Sequence, residues 1–247
     1  DGVNDITAMK EADCSVVVAS GSEAAAQASQ LVLLDSDFGR MPSIVEEGRR
    51  VVNNIQRAAS LFLVKNIFSL LMAIFSVILM LNYPLEPSQI SLISLFTIGI
   101  PSFLLALEPN HERIHGHFMS NVIIRALPAG ITDFLTVSAL VVFCNEFKVD
   151  PACVSTSCSI LVAIVGFMIL YRIMKPARAM HHIMLVCVIL GWVLCLLQFS
   201  SFFGITALSR QCAMLMVVFA ITTEPILRYL SEWTRRIFCH YRANSVR

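Results

Sequence analysis

Six long apolar stretches dominate the chain after residue 60, and short polar or proline-bearing breaks separate them. The stretches cover roughly 61–82, 89–107, 126–145, 155–172, 181–203 and 208–228. A helix rises about 1.5 Å per residue, so about 20 apolar residues cross the roughly 30 Å hydrocarbon core of a bilayer. Because lipid offers no partner to an unpaired peptide group, each stretch predicts a membrane-spanning helix.

The first apolar stretch continues a polar segment that has a helical pattern of its own. Pro42 suits a first helical turn, and an apolar stripe among charged residues follows it. Only Gly48 interrupts the run from 43 to 82, which predicts one helix of about 40 residues. Residues 42–60 would form a cytoplasmic stalk, and the rest of the helix would form the first span.

Residues 1–41 have a different pattern, with short apolar runs between turn residues. Residues 14–19 and 31–34 predict buried strands, and residues 6–12 and 22–29 predict helices. The expected fold class is a mainly α-helical membrane protein, with a partial α/β cytoplasmic head before a six-helix transmembrane bundle. Residues 229–247 would form a basic cytoplasmic tail.

The composition supports a membrane protein. Hydrophobic residues make up 57% of the chain and charged residues 14%, and the mean hydropathy is +0.75. Soluble domains carry about 25% charged residues, so the composition excludes a disordered chain and argues against a soluble globular fold. The net charge of +1 gives no indication of nucleic-acid binding.

The Lys and Arg residues outside the head predict the orientation. One side of the predicted bundle would receive ten of them, and the other side only Lys148 and Arg210. By the positive-inside rule, the head and both ends of the chain lie in the cytoplasm. The short loops suggest the plasma membrane of a prokaryote. The ten are Arg113, Arg125, Arg172, Lys175, Arg178, Arg228, Arg235, Arg236, Arg242 and Arg247.

The cysteines and histidines give weaker signals. None of the eight cysteines forms the close pairs of a zinc site. Cys144, Cys153 and Cys158 flank one loop; they could be bridged, but we favour free thiols because spacing does not determine connectivity. Another group, made of His111, Glu112, His115 and His117, fits a solvated loop better than a metal site, since no matching ligand set accompanies it.

The first five residues, Asp1-Gly2-Val3-Asn4-Asp5, combine two carboxylates, an amide and a glycine just before a predicted helix. Carboxylate oxygens are the ligands that Mg²⁺ prefers, and the start of a helix favours phosphate. A turn whose side chains cap the helix is the alternative interpretation of the same residues.

This pentapeptide resembles the end of the phosphorylation domain of P-type ATPases. The resemblance extends through seven further segments: Met9-Lys10, Ala12-Asp13, Gly21-Ser22, Ala28-Ser29, Leu34-Asp35, Val45-Glu46-Glu47-Gly48-Arg49 and Asn53-Asn54. It covers residues 1–66 in the family's order and spacing, and the six spans agree with the family's last six membrane helices. The resemblance implies that the head is HAD-like and that the whole protein is an ATP-driven translocase.

The resemblance also implies roles for three residues of the pentapeptide. In the family, the residue at the position of Asp1 ligates Mg²⁺ and that at Asn4 hydrogen-bonds the phosphoryl group. The residue at Asp5 supports the magnesium site without ligating the metal itself. The cofactors would be Mg²⁺ and ATP. The family's phosphorylated Asp and its nucleotide-binding domain lie upstream, so we expect a piece of a longer polypeptide that is inactive without its amino-terminal part.

The same resemblance selects candidate residues for a transport site. Asn66 falls on a binding-site Asn of calcium pumps, whereas Ser69, Ser94 and Ile98 replace a Glu, an Asn and an Asp. Because Ca²⁺ takes six to eight oxygens, several of them charged, the usual calcium site is not expected. Gly99 and Pro101 predict an unwound second span, which would free carbonyls near Thr97 for the substrate.

Two charged residues inside the spans complete the candidate set. Lys65 is either a snorkelling residue near the interface or a cation at the transport site, and the two interpretations are equally supported. Asp133 would pair with Lys65 or bind a cation. Glu224 precedes Arg228 by four residues, a spacing that predicts an ion pair.

The sequence therefore supports a transporter with several substrate classes left open. Besides membrane lipid, the predicted partner is a transported cation, with a lipid or a polyamine as the alternative because Lys65-Asn66 resembles the lipid-flippase branch. Another alternative is a non-catalytic six-helix membrane protein whose head only resembles the motif. The candidate transport site consists of Lys65, Asn66, Ser69, Ser94, Thr97, Gly99, Pro101 and Asp133.

Overall fold

The computed structural model describes residues 3–114, 116–174 and 179–244. The chain divides into two compact units, Asp1–Arg50 and Val51–Arg247. The first unit is a small α/β structure, and the second contains the long apolar helices.

The first unit contains a parallel pair of strands. Its elements are a 3₁₀ turn at Val3–Asp5, helix α1 (Ile6–Glu11), strand β1 (Val16–Val18), helix α2 (Glu23–Ala28), strand β2 (Leu31–Leu33) and a 3₁₀ turn at Phe38–Arg40. Strands β1 and β2 pair in parallel, with Val16 opposite Leu31. Parallel strands need a crossover, which α2 supplies. The strands and helices predicted for the head are confirmed, in a sheet of two strands.

Local chemistry explains why α2 begins where it does. The side chain of Ser22 accepts a hydrogen bond from the backbone N–H of Ala25 at 3.1 Å, which satisfies one of the unpaired amides of the first turn. Val17, Ala25 and Leu33 are buried and form the apolar centre of the unit.

The prediction of six spans is confirmed, since six helical segments of the described chain are long and apolar enough to cross a membrane. The first belongs to α3 (Met41–Ile78), and the second is made of α4 (Pro87–Ser94), a π-helical turn (Leu95–Gly99) and α5 (Ile100–Ala106). The remaining four are α6 (Phe118–Glu146), α7 (Pro151–Ile173), α8 (Ala179–Gln198) and α9 (Arg210–Asn244).

The long helices differ from the predicted spans mainly at their ends. Helix α3 has 38 residues without a break and ends at Ile78, where Met80 adopts a positive φ of 52° that a regular helix cannot continue. Helix α6 begins at Phe118, eight residues before the predicted span of 126–145. Helix α9 continues as far as Asn244, through most of the segment expected to be a tail.

Two apolar clusters form the interior of the second unit. One is built around Phe68, Met72 and Leu161, and the other around Leu61, Val165 and Leu170. Helices α6 and α7 are the most buried spans and α9 is the least. Many apolar side chains on the outside of the spans are exposed, as expected for helices that lipid covers.

Two adjacent amides of α3 hold the connector between α5 and α6 (residues 107–117). Asn53 Nδ2 donates to the carbonyl oxygen of Glu112 at 2.9 Å. Asn54 Nδ2 donates to the carbonyls of Ala106 and Glu108, at 3.1 and 3.0 Å. These bonds satisfy backbone carbonyls at the end of α5 and just beyond it, so the two asparagines fix the path of the connector.

An ion-paired cluster at the same place joins three parts of the chain. Arg57 Nη1 lies 2.6 Å from Glu108 Oε2, and His181 Nε2 lies 3.1 Å from the same oxygen. Burial raises the pKa of Glu108, but the hydrogen bond from His181 and the charge of Arg57 outweigh it, so the pKa lies below its ordinary value. No sequence pattern predicts this cluster, because its members are far apart along the chain.

We expect the Glu108→Gln variant of the full chain to unfold at a lower temperature than the wild type at pH 7. The substitution leaves the Arg57 guanidinium, which is only 7% exposed, without its carboxylate, and breaking a buried pair costs about 3–5 kcal/mol. Thermal unfolding in detergent measures the effect.

The difference in unfolding temperature between the wild type and Glu108→Gln should depend on pH. A carboxyl whose pKa is lowered by folding stabilises the protein above its unfolded value of about 4.3, and this contribution disappears as the pH falls through the folded value. The gap between wild type and Glu108→Gln should therefore shrink at acid pH. Glu112→Gln in the same connector is the control, and equal unfolding temperatures for Glu108→Gln and wild type at pH 7 would contradict the assignment.

Candidate transport cavity

A small cavity lies inside the second unit between α3, α4, the π-helical turn, α6 and α7. Its volume is about 50 Å³, and members of both apolar clusters line it. A single water needs about 10–15 Å³, so the space suits a few waters or one small ion. Five of the sequence-predicted residues line it: Lys65, Ser69, Ser94, Thr97 and Asp133.

The other three predicted transport residues lie outside this lining. Asn66 is exposed, although it is adjacent to Lys65 in the sequence. Gly99 and Pro101 belong to the same span as Thr97 but do not line the cavity either. Side chains point in different directions around a helix, so residues close together in the sequence can lie on different faces. Lys65 and Thr97 therefore line the cavity, whereas Asn66, Gly99 and Pro101 do not.

The second span is not unwound, so that prediction is wrong. The backbone stays helical and changes to π pitch over Leu95–Gly99, with the N–H of Ile100 donating to the carbonyl of Leu95. Pro101 has no N–H and cannot bond the carbonyl of Thr97 four residues earlier, which disturbs the α-helical ladder at this point. The change of pitch accommodates the disturbance without exposing a stretch of backbone.

Glycines let neighbouring helices approach this span closely. A Cβ atom on Gly166 of α7 would lie 2.8 Å from Thr97 Cγ2, and one on Gly191 of α8 would lie 2.9 Å from Phe96 Cε1. Both distances are shorter than real contacts allow, so the π-helical turn is packed directly against two helices. We did not identify Gly166 from the sequence, where a glycine within an apolar helix is a weak signal.

The hydroxyl groups at the cavity are positioned by their own helices. Ser94 Oγ donates to the carbonyl of Ile90 at 2.6 Å, and Thr97 Oγ1 donates to the carbonyl of Ile93 at 2.8 Å. Ser69 shares a side-chain hydrogen bond with Tyr83. Because a hydroxyl that donates still has lone pairs, Ser94 and Thr97 can also act as oxygen ligands.

Asp133 supplies the carboxylate of the cavity. The residue is only 3% exposed, and its Oδ1 atom has no hydrogen-bond partner in the described part of the chain. Lys65 lines the same cavity, but the two groups do not form an ion pair within the described residues. A buried polar atom without a partner is costly, so this oxygen is suited to bind an ion or water.

The pentapeptide of the head is only partly described. Asn4 and Asp5 are exposed in the 3₁₀ turn before α1, and Asp1 and Gly2 lie outside the described residues. Asp5 stands at the N-cap of α1 but makes no side-chain capping hydrogen bond there. The alternative in which these side chains serve to cap the helix therefore receives no support from Asp5.

Three other predictions concern residues at the membrane boundaries. Glu224 contacts Arg228 at 3.5 Å as predicted, and also Arg172 at 2.9 Å, which was not predicted. Cys144, Cys153 and Cys158 are free thiols, as we favoured, although Cys144 Sγ lies 3.7 Å from Cys212 Sγ. In the histidine group, His115 lies outside the described residues.

We expect Gly166→Ala to destabilise the full chain by about 1–3 kcal/mol, because its new methyl group overlaps the branched side chain of Thr97. Gly48→Ala is the matched control. A Cβ there meets nothing within 4 Å, so replacing this helical glycine should stabilise the chain by about 0.5–1 kcal/mol. Thermal unfolding of both variants measures this, and equal shifts would show that Gly166 has no packing role.

Comparisons with known proteins identify the family. No protein-family model matches the chain. A probable cation-transporting ATPase, exp7, of Streptococcus pneumoniae is 34% identical over 246 residues, covering 94% of this chain and 32% of that protein. The calcium-transporting ATPase CtpE of Mycolicibacterium smegmatis is 36% identical over 208 residues, covering 78% of this chain and 26% of that protein.

Other relatives match shorter segments. The calcium-transporting ATPase CtpE of Mycobacterium bovis is 42% identical over 141 residues, covering 53% of this chain. The chain spans about a third or less of the length of these curated relatives. Together with the six apolar helices, these matches show that the chain is a homologue of P-type ATPases and corresponds to part of their length.

Proposed function

We propose that the chain is the carboxyl-terminal part of a cation-translocating P-type ATPase, whose membrane helices carry the ion and whose head completes the phosphorylation domain. The observation that carries this proposal is the buried, unpartnered carboxylate of Asp133 in a cavity otherwise lined by hydroxyls, one lysine and apolar residues. The names of the curated relatives, two of them calcium-transporting, support a cation as the substrate.

The head would contribute to the handling of an aspartyl phosphate. Asp1 would bind Mg²⁺, with Asp5 supporting it, and Asn4 would donate its amide to the phosphoryl group. Carboxylate and amide oxygens suit this metal, and Asn4 and Asp5 are exposed where a ligand can reach them. When bound, Mg²⁺ supplies neutralisation of the phosphoryl charge. ATP would be bound by the upstream part of the same polypeptide, without which we expect this chain to be inactive.

The cavity would hold the transported ion by a small set of oxygens. Three hydroxyls and one carboxylate offer at most five side-chain oxygens, whereas Ca²⁺ takes six to eight, several of them charged. Waters or backbone carbonyls would have to complete a calcium site. Lys65 acts in this proposal as a built-in counter-ion: it lines the same cavity as Asp133 without pairing with it, and its ammonium would be repelled when a cation enters.

Helix α3 would connect the chemistry to transport. It runs unbroken from Met41 to Ile78 and carries Lys65 and Ser69 of the cavity on its second half. A continuous helix transmits a displacement along its axis better than a broken one does. We also propose that the head and both ends of the chain face the cytoplasm of a prokaryotic cell, from the distribution of Lys and Arg.

The alternative functions are less well supported. A lipid headgroup does not fit a cavity of about 50 Å³, although Lys65 and Asn66 resemble the flippase pattern, and Asn66 lies outside the lining. A polyamine would need more than the one carboxylate that the cavity provides. A non-catalytic six-helix membrane protein does not account for similarity to pumps along 94% of the chain.

We expect Asp133→Asn, made in the full polypeptide that contains this chain, to raise the half-saturating cation concentration for ATPase activity by about tenfold or more. The substitution removes the charged ligand and keeps its shape, and one lost charge-assisted bond costs about 1.5–3 kcal/mol. A screen of cations against ATPase stimulation in proteoliposomes first identifies the ion, and its titration then measures the variant.

Asp150→Asn is the control, because Asp150 is exposed and lies away from the cavity. It should leave the cation dependence unchanged. Lys65→Ala should alter the cation dependence in the same assay if the lysine is a counter-ion, and unchanged dependence would make it an interfacial anchor. Cation dependence in Asp133→Asn equal to that of the wild type would remove this cavity from the transport path.

We expect Asp1→Asn in the same full polypeptide to lower Mg²⁺-dependent phosphoenzyme turnover by about a hundredfold, because a neutral amide ligates Mg²⁺ poorly. Quenched-flow measurement of acid-stable phosphoenzyme tests this. Glu11→Gln, a nearby exposed carboxylate, is the control and should turn over normally. Normal turnover in Asp1→Asn would exclude Asp1 from the magnesium site.

A further inference from the structure

A second and larger cavity of the same unit lies beside the connector between α5 and α6. Its volume is about 400 Å³, within the range of about 300–1,000 Å³ that is usual for small-molecule sites. It is enclosed by α3 near Asn53, by the connector near Asn110, by α6 near Pro128, by the end of α7 and by the middle of α9.

The charged lining of this cavity is mainly positive. Two glutamates, Glu112 and Glu232, line it, against five arginines. Like charges this close together repel one another, and a bound anion would relieve that repulsion. The five arginines are Arg57, Arg125, Arg172, Arg228 and Arg235.

Ion pairs already engage some of these arginines but not all. Arg57 pairs with Glu108, and Arg172 and Arg228 share the single carboxylate of Glu224. Arg125 and Arg235 form no ion pair with any carboxylate of the described residues. The charge of Glu112 acts on Arg125 without forming an ion pair with it, so the guanidinium donors of Arg125 and Arg235 remain available to a ligand.

The uncharged lining has a polar part, made of Asn53, Gln56, Asn110 and Ser231, and an apolar part on the membrane helices. Pro128, Ala129, Ile169, Ile173 and Leu227 line the cavity together with the arginines. Ile169, Ile173 and Leu227 also belong to the apolar cluster built around Leu61 and Leu170. A ligand that satisfies the whole lining needs an anionic group at one end and an apolar body at the other.

We propose that this cavity binds the phosphate group of an anionic amphiphile. Arg presents a planar fork of donors that matches phosphate oxygens in pairs, and basic pockets between membrane helices bind anionic headgroups. The apolar lining favours a phospholipid as the source of the phosphate over a soluble phosphate ester. The site is separate from the proposed transport cavity, since among the described residues the two linings share only Ile169 and have no charged group in common.

The test uses the full chain purified in nanodiscs of phosphatidylcholine with a minor fraction of phosphatidic acid. Native mass spectrometry counts the lipids that the protein retains. We expect the wild type to retain phosphatidic acid in preference to phosphatidylcholine. Arg125→Gln combined with Arg235→Gln should lower this retention by about tenfold or more, because both unpaired guanidinium groups are lost.

Arg210→Gln is the matched control, because Arg210 is an exposed arginine on the same helix α9 and does not line the cavity. It should retain phosphatidic acid as the wild type does. Should the double variant fail to fold, Arg228→Gln replaces it, since that side chain is largely exposed and its loss leaves the helix packing intact. Circular dichroism and gel filtration verify the fold of each variant.

A second arm distinguishes the source of the phosphate. Titration of the protein in pure phosphatidylcholine nanodiscs with glycerol 3-phosphate tests a soluble ester at the same site. Binding of either compound that depends on Arg125 and Arg235 supports the proposal and identifies the source. Equal retention of both lipids by the wild type without binding of the ester, or arginine-independent retention, would overturn it. The readout is binding alone, so it does not depend on the transport activity proposed above.

Discussion

The shortage of hydrogen-bond partners inside an apolar bundle is the constraint on which the rest of this structure depends. Backbone groups meet it by forming helices, and the hydroxyls of Ser94, Thr97 and Thr132 meet it by donating to carbonyls of their own helix. A carboxylate oxygen of Asp133 differs from these groups, because it has no hydrogen-bond partner in the described part of the chain. A group this costly to bury is expected to have a function.

The position of the cavity follows from close helix packing around it. Gly130 of α6 lets Ile67 of α3 approach, as Gly166 of α7 does for Thr97. These contacts leave no room for a methyl group, yet the space between the two apolar clusters stays open. The π-helical turn beside it adds an irregular backbone at the same depth. A small space with a few polar groups is thus held between closely packed helices, as the proposed ion site would require.

The bundle combines two regions of opposite chemical character. The inner cavity has one carboxylate and few donors, whereas the region around the connector has several arginines, of which only some are paired. Asn53, Asn54 and the Arg57–Glu108 pair hold the connector against α3 at this second region. A ligand bound there would contact α3 and the connector together, and would therefore influence the helix that also lines the inner cavity.

The sequence alone determined the six spans, the unbroken helix α3, the α/β elements of the head and the family, because these depend on local periodicity and on contiguous motifs. Only the tertiary structure decided that Ser69 lines the cavity while Asn66 does not, that the second span keeps a π-helical turn, and that Arg57 meets Glu108 and His181. Those outcomes depend on how helices distant in sequence rotate and pack against one another. No pattern within a single helix contains that information.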